Sequence, residues 1–597
     1  MGNVDLQVYG GLAGNFDFIA RVDSASEGIA YQLGWTKSKG IDRQYTFDAS
    51  WGNMIRLGKY AKANSITFSY SNDPETVSHV HALREDYKRI MDAHKFRTMD
   101  EEELSDFWTQ SEIDYLFPHI EFAEYQKRSI LWLLQMRKGG CYFEQGLGKT
   151  MIALAYISKL IHDGVIKKPL LVAPPTLFSE TAWFGEIKDH TNFDIVDLRK
   201  KKRKEPERQA IYVVNPELIS RRAFRTTRMA KISYDKNNFI AIEDFDCIVF
   251  DESSLLGNPS ALITRAMMKL MAKSEYVMLA SGTPSPNSIF QIWAQSKILG
   301  SILGDSYGRF QEQYGHPMQV AIGKQVYKPR SGAIEEIRKV IDPVAYFLER
   351  EGNLELPPRH IVNIEVEMTP EHAELYKQVQ DEYVAVVNGY DKDGNPLEGE
   401  IAIKHETVVR MKLLQIINGF VIQKNANDED VFYCLPWNPK IERLKELIRT
   451  DLIDGDSNMI IWCRFRHEVE TIYSMCEEMM PGMAAYIYGG MSDRKREQQL
   501  VKWIGDSSTR CVISHPQSTR FGHTWNKASK TCFFSATEDY GSFAQARDRN
   551  YRRGQTQEVS EYRFCTKGTV ENQVWRAILD RSRVDRFLKQ YVCEIWI

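Results

Sequence analysis

The feature that most restricts how this chain folds is Glu144-Gln-Gly-Leu-Gly-Lys-Thr150, set between an apolar run ending at Phe143 and a helical pattern of Met151, Ile152, Leu154, Ile157, Leu160 and Ile161. Strand, loop, helix is the context in which glycines turn backbone N–H groups toward an anion at a helix N-terminus. Lys149 is then placed to reach β- and γ-phosphates, and the Thr150 hydroxyl to ligate Mg²⁺. Gln145, Gly146, Leu147, Gly148, Lys149 and Thr150 are thus the expected ATP-binding residues, with Phe143 standing where the general G-x-x-x-x-G-K-[ST] pattern has its first glycine.

A second signal supports the first. The apolar run Asp246-Cys-Ile-Val-Phe250 ends in Asp251-Glu252-Ser253-Ser254, two adjacent carboxylates leaving a buried strand. Asp251 is suited to hold Mg²⁺, and Glu252 to polarise the water that attacks a γ-phosphate. Lys149, Asp251 and Glu252 are therefore expected to be catalytic, with Thr150 and Asp251 the metal ligands.

Short β-rich runs alternate with helical patterns around both motifs, as in a parallel sheet with crossover helices. The expected strands are Cys141–Phe143, Leu170–Ala173, Ile211–Val214, Asp246–Phe250 and Tyr276–Ala280. After a polar stretch without this alternation the pattern resumes at Met459–Cys463, Ala484–Tyr488, Cys511–Ser514, Thr531–Ser535 and Glu561–Phe564. A chain of 597 residues is too long for one core. The expected fold is α/β: an N-terminal α+β domain over 1–115, one parallel-sheet lobe over 116–345, a helical connector over 346–437 and a second lobe over 438–597.

Hydrolysis also needs positive charge at its transition state. Gln545-Ala-Arg-Asp-Arg549-Asn-Tyr-Arg552-Arg-Gly-Gln555 offers it, because on a helix Gln545, Arg549 and Arg552 share one face at i, i+4 and i+7. The lysine loop and these guanidiniums are expected to meet across one ATP, so that binding draws the lobes together and hydrolysis releases them.

Formal charge is −3, so a polyanion surface has to be a local groove rather than a general coat. The one dense basic run, Arg199 to Lys204, reads as a solvated loop. The nine cysteines are dispersed without metal spacing, which fits a reducing cytoplasm. No apolar stretch is long enough for a membrane span and no signal peptide is evident at the N-terminus, so no membrane partner is expected.

In this order the motifs resemble those of superfamily 2 nucleic-acid translocases, and more narrowly the Swi/Snf family, over roughly residues 121–590. Glu124-Tyr-Gln126-Lys resembles the family's adenine-reading glutamine element, which adds Gln126 to the ATP-binding set. Leu171-Val-Ala-Pro-Pro-Thr176 and Val214-Asn-Pro-Glu217 resemble its later elements, and Ser281-Gly-Thr-Pro-Ser-Pro-Asn287 the element coupling nucleotide state to DNA. Leu356-Pro-Pro, Val366 to Tyr376, the run ending at Gln555 and Thr566 to Glu571 are similar to its interlobe and closing segments. The resemblance implies two RecA-like lobes, ATP with Mg²⁺, and duplex or branched DNA contacted through phosphates at Thr176, Asn215, Thr283 and Ser518.

Two departures stand out: Ser253-Ser254 follow the carboxylates where Ala-His or a near variant is usual, and Thr524 stands where glycine is common. At the N-terminus, Tyr31 to Trp35, Tyr45 to Asp48 and Met54 to Tyr60 suggest two strands and a helix, faintly similar to the substrate-recognition module of annealing helicases. That module would imply forked DNA, the alternative being a packing domain, and the same region is open to a protein partner. The resulting expectation is a monomeric, DNA-stimulated ATPase in a bacterial or phage-infected cytoplasm. An RNA helicase and an ATP-gated scaffold are the competing readings.

Overall fold

Parallel strands covered on both faces have no polar side to show, so they read as unbroken apolar runs. Cys247 to Phe250 and Leu170 to Val172 are such runs, and each of these residues is fully buried. The computed structural model describes residues 3–10, 16–22, 36–38, 42–48, 57, 62, 67–70, 72–180, 182–200, 206–223, 231–235, 238–241, 245–301, 303, 306–321, 324–391, 394–402, 406–424, 430–436, 438–519 and 525–590. The chain divides into one unit of Met1–Asn353 with Val584–Ile597 and another of Leu354–Arg583.

The first unit holds a seven-stranded sheet in the order Ala345–Leu348, Lys138–Phe143, Tyr276–Ala280, Cys247–Asp251, Pro169–Val172, Ala210–Val214, Asp194–Asp197. Every neighbouring pair in it is parallel. All five expected strands are present, and the two edge strands Ala345–Leu348 and Asp194–Asp197 are additional. Asp194–Asp197 is bounded by carboxylates and its first two residues are only half-buried, so it carries little apolar signal.

A smaller sheet precedes this lobe, in the order Thr36–Lys37, Gln44–Asp48, Phe16–Val22, Asn3–Gly10, Thr67–Tyr70. It is antiparallel except where Asn3–Gly10 pairs parallel with Thr67–Tyr70. The sequence-expected strand Tyr45 to Asp48 lies in it, whereas Tyr31 to Trp35 and most of Met54 to Tyr60 fall outside the described residues. The helix Pro74–Thr98 then packs along Glu124–Met136 and is fastened at its end by Arg97. The Arg97 guanidinium donates to the carbonyls of Asp342 and Ala345 and lies 4.8 Å from the ring centroids of both Trp132 and Tyr346. Its burial pulls its pKa down to about 10, leaving it charged at neutral pH.

The second unit holds a six-stranded sheet in the order Arg359–Val366, Val559–Thr566, Lys530–Phe533, Met459–Trp462, Cys511–Ser514, Ala484–Ile487, again parallel throughout. The protein is thus α/β with two RecA-like parallel-sheet lobes. The stretch expected to be a helical connector contains the helices Pro370–Glu382 and Glu406–Ile417, and adds a four-stranded antiparallel sheet. Its strand Val384–Tyr390 alternates exposed Val384 and Val386 with buried Ala385 and Val387. Its first four residues are apolar on both faces, so the polar-apolar alternation that marks a strand is missing there. None of the described helices is long and apolar enough to cross a membrane.

Candidate nucleotide site

Parallel α/β sheets place ligands beyond the carboxyl ends of their strands. In the first lobe the strand ending at Phe143 lies beside Tyr276–Ala280, which lies beside Cys247–Asp251. The glycine loop, the carboxylate pair and the Ser281–Asn287 loop therefore leave the sheet at the same end.

The loop's geometry follows from its glycines. Gly146 and Gly148 have φ of 92° and 72°, conformations that side-chain-bearing residues adopt only at a cost. A Cβ on Gly148 would also stand 2.3 Å from Nε2 of Gln126. Gln126 is buried, its Oε1 accepts the Ala123 N–H, and its amide nitrogen is thereby held against the loop. The helix Lys149–His162 starts at Gly148, which has no side chain to cap it. Lys149 Nζ donates to the carbonyls of Phe143 and Glu144 at 2.8 and 3.2 Å, which centres the ammonium in the arc of the loop. Glu144 in turn accepts from the backbone N–H and Nε of Arg350, bracing the loop from the last turn of the unit. Gln145, Leu147 and Thr150 lie in the same loop, with Leu147 buried and Gln145 and Thr150 half-buried. Gly282 closes on it, since a Cβ there would be 3.3 Å from Gln145 Cγ.

Asp251 accepts the Trp183 indole N–H at 2.9 Å and the Glu252 backbone N–H at 3.0 Å. Burial raises its carboxyl pKa, opposed by the Trp183 hydrogen bond and by the positive charge of Lys149. Glu252 is one of five non-glycine residues with positive φ among the described residues, at 62°. Strain of this kind is retained where surrounding structure dictates it, and here it turns the second carboxylate away from the strand direction. Just beyond, the buried Ser253 Oγ donates to Gln295 Oε1 at 2.8 Å, and Gln295 Nε2 donates to the Pro284 carbonyl at 2.8 Å. One amide therefore bridges the carboxylate turn to the Ser281–Asn287 loop. The buried hydroxyls of Ser254, Thr283 and Ser285 have no hydrogen-bond partner among the described residues.

The remaining sequence-expected positions are distributed as follows. Thr176 is exposed in the short helix after Pro169–Val172, and Asn215 is half-buried with its amide on Glu217. Ser518 is half-buried in the turn Pro516–Thr519. Thr283, in the Ser281–Asn287 loop, is 5% exposed. Arg199 is ion-paired to Asp197 and stacked on Phe178, while residues 201–204 of the basic run, like Thr524, fall outside the described residues.

The arginine face also needs correction. The helix carrying Gln545 ends at Arg547, and Arg549 and Arg552 lie in the turn that follows, so the three do not share a helical face. Tertiary hydrogen bonds claim the backbone there: the Arg549 carbonyl accepts the Trp525 N–H, and Gln555 Nε2 donates to the carbonyls of Asn526, Ala528 and Asn550. Gln545 and Arg549 are buried, and Arg552 is half-buried. Trp183, Gln295 and Arg350 were not anticipated, because each meets its motif only through the tertiary fold.

Residues 125–418 match the SNF2-related domain. The chain is 24% identical over 522 residues to the SNF2 domain-containing protein ENL1 of rice (Oryza sativa subsp. japonica), covering 77% of this chain and 50% of that protein. It is 22% identical to chicken (Gallus gallus) chromodomain-helicase-DNA-binding protein 1, over 80% of this chain and 27% of that one. An uncharacterized ATP-dependent helicase of Mycoplasma pneumoniae is 21% identical, over 77% and 41% respectively. The chain thus spans half or less of the length of these relatives. A solved SWI2/SNF2 ATPase core of Sulfolobus solfataricus in complex with dsDNA matches 80% of this chain and 98% of its own, at 19% identity and a TM-score of 0.35. The stretch 125–418 that is similar to the SNF2-related domain contains both the glycine loop and the carboxylate pair.

Proposed function

We propose that this chain is an ATP-driven motor that moves along duplex or branched DNA, reshaping the DNA or displacing bound protein. The observation that carries the reading is the arrival of Lys149 and the Asp251-Glu252 pair at one end of one parallel sheet, inside an SNF2-related domain. The name of the chicken relative, which includes DNA binding, supports DNA as the polymer.

In the proposed cycle Gly146, Gly148 and Lys149 hold the β- and γ-phosphates, and Gln126, pressed against the loop, belongs to the nucleotide-binding set. The Thr150 hydroxyl and Asp251 carboxylate are hard oxygen donors of the kind Mg²⁺ takes. Asp251 uses two acceptor directions on Trp183 and Glu252, and a carboxylate has others. Mg²⁺ ordinarily keeps waters and phosphate oxygens as its other ligands. When bound, Mg²⁺ neutralises phosphate charge. Glu252 orients and polarises the attacking water, Arg549 and Arg552 supply positive charge to the transition state, and Gln545 belongs to the same catalytic set. Thr176, Asn215 and Ser518 are assigned to DNA phosphates, because a motor that steps through every sequence reads backbone rather than base edges.

The test is ATP turnover with linear duplex, single strand, fork and four-way junction, each against no nucleic acid. Stimulation by duplex or fork is expected, and equal rates with and without DNA would sink the reading. Stronger stimulation by single-stranded RNA would redirect it to RNA. Loss of fork preference on deleting residues 1–115 would assign substrate choice to the N-terminal sheet and helix.

A further inference from the structure

The second unit begins at Leu354, and its first segment contains Pro357 and Pro358. Prolines have fixed φ and no N–H, so the backbone of these two residues can be hydrogen-bonded only through its carbonyls. Both carbonyls are taken. Pro357 accepts the Tyr551 hydroxyl at 2.8 Å, and Pro358 accepts the Val559 N–H at 3.0 Å. Tyr551 stands between Arg549 and Arg552, in the turn that replaced the expected helix.

The next residue extends the connection. Arg359 is nearly buried, its Nη2 donates to the Arg547 carbonyl at 3.3 Å, and it pairs with the Asp548 carboxylate at 3.5 Å. Its guanidinium carbon lies 3.9 Å from the centre of the Tyr551 ring. The Asp548 carbonyl then accepts Nε of Arg552 at 2.9 Å. An uninterrupted path of contacts therefore leads from the entering segment through Arg359, Asp548 and Tyr551 to Arg552. Neutralising the buried Glu561 does not account for Arg359, which stands 3.8 Å away while Arg547 and Arg563 donate directly to the two carboxylate oxygens at 2.8 and 2.7 Å.

We infer that Tyr551 and Arg359 are positioning residues that make the presentation of Arg552 depend on the conformation of the segment entering the second unit. The inference rests on the proposed role of the arginine turn in ATP hydrolysis. It deepens that role by naming what sets the turn: a displacement of the Pro357-Pro358 segment shifts the hydroxyl anchor and the stacked guanidinium together, and Arg552 with them.

The experiment is a double-mutant cycle on the full chain, measuring DNA-stimulated kcat and KM for ATP together with thermal melting. Tyr551→Phe keeps the ring under Arg359 and removes only the hydroxyl donor. One lost hydrogen bond predicts a fall in kcat of about fivefold, with KM and melting temperature nearly unchanged. In an Arg552→Ala background the same substitution is expected to cost nothing further, because it acts through Arg552. Wild-type turnover in Y551F, or an equal fractional loss in both backgrounds, overturns the inference while leaving the motor reading in place. Arg359→Lys keeps charge but loses the planar stack and fork, and is expected to lower kcat in the same non-additive way. Unchanged turnover there removes Arg359 from the path. Wild-type turnover in both R549A and R552A would overturn the catalytic role of the turn and this inference with it.

Discussion

Each lobe builds a strand, loop and helix of the same kind within its parallel sheet, and the two are finished in opposite ways. In the first, Lys138–Phe143 leads through glycines of positive φ into Lys149–His162, whose start has no side-chain cap. In the second, Met459–Trp462 leads into Arg466–Met479, and the helix start is closed by its own glutamate. Glu468 Oε2 accepts the N–H groups of Arg464 and Phe465 at 2.9 and 3.1 Å and the Ser535 hydroxyl at 2.6 Å. Both helix starts attract negative charge for the same dipolar reason. One start is left without a side-chain cap, where the proposed function puts a phosphate, and the other is filled by a carboxyl group of its own helix.

The contrast is broken most severely by removing chemistry while keeping shape. Glu252→Gln preserves volume and the positive-φ turn but deletes the group assigned to the attacking water, so turnover should fall by about 10² to 10⁴-fold with ATP still bound. Single-turnover hydrolysis and fluorescent-nucleotide binding separate the two effects, and undiminished turnover would remove Glu252 from the mechanism. A smaller effect is expected from Gly148→Ala, which forces a Cβ into the left-handed region and toward the Gln126 amide. Backbone strain of about 1–2 kcal/mol plus displacement of Gln126 predicts roughly ten- to a hundredfold weaker ATP binding. Titration calorimetry showing wild-type affinity would mean that the loop's glycine geometry does not set nucleotide binding.

What the sequence made legible follows the same physics. Every expected strand of both sheets is found, because strands covered on both faces cannot hide an apolar run, as Cys247–Asp251 and Cys511–Ser514 show. The position of the glycine loop and of the carboxylate pair was legible too, since each directly follows such a run and leaves the sheet where its strand ends. Illegible were features decided by distant contacts. The end of the helix at Arg547 depends on Trp525 and Gln555, the Asp251 environment on Trp183, and the bridge between two motifs on Gln295. None of these has a local periodicity to betray it. The four-stranded antiparallel sheet of the second unit was masked for a different reason: its strand Val384–Tyr390 exposes Val384 and Val386.

The least disruptive test addresses the closed helix start of the second lobe. Burial raises the Glu468 pKa from its ordinary value to about 7, even though hydrogen bonds from Ser535 and two backbone N–H groups favour the charged form. Between the ordinary carboxylate range and pH 7 the folded protein therefore binds more protons at this site than the unfolded chain does. By linkage the stabilising contribution is fully present at low pH and declines as pH rises through that window. Glu468→Gln keeps an acceptor for the Arg464 and Phe465 N–H groups and removes the titration. Melting of the wild type and the variant from pH 5 to pH 8 should show the wild type losing on the order of 1–2 kcal/mol relative to E468Q across the window. Parallel pH profiles would mean that the glutamate is charged throughout. The second helix start would then be filled by a full negative charge, as a phosphate would fill the first, and the two lobes would differ only in whether the anion is covalently their own.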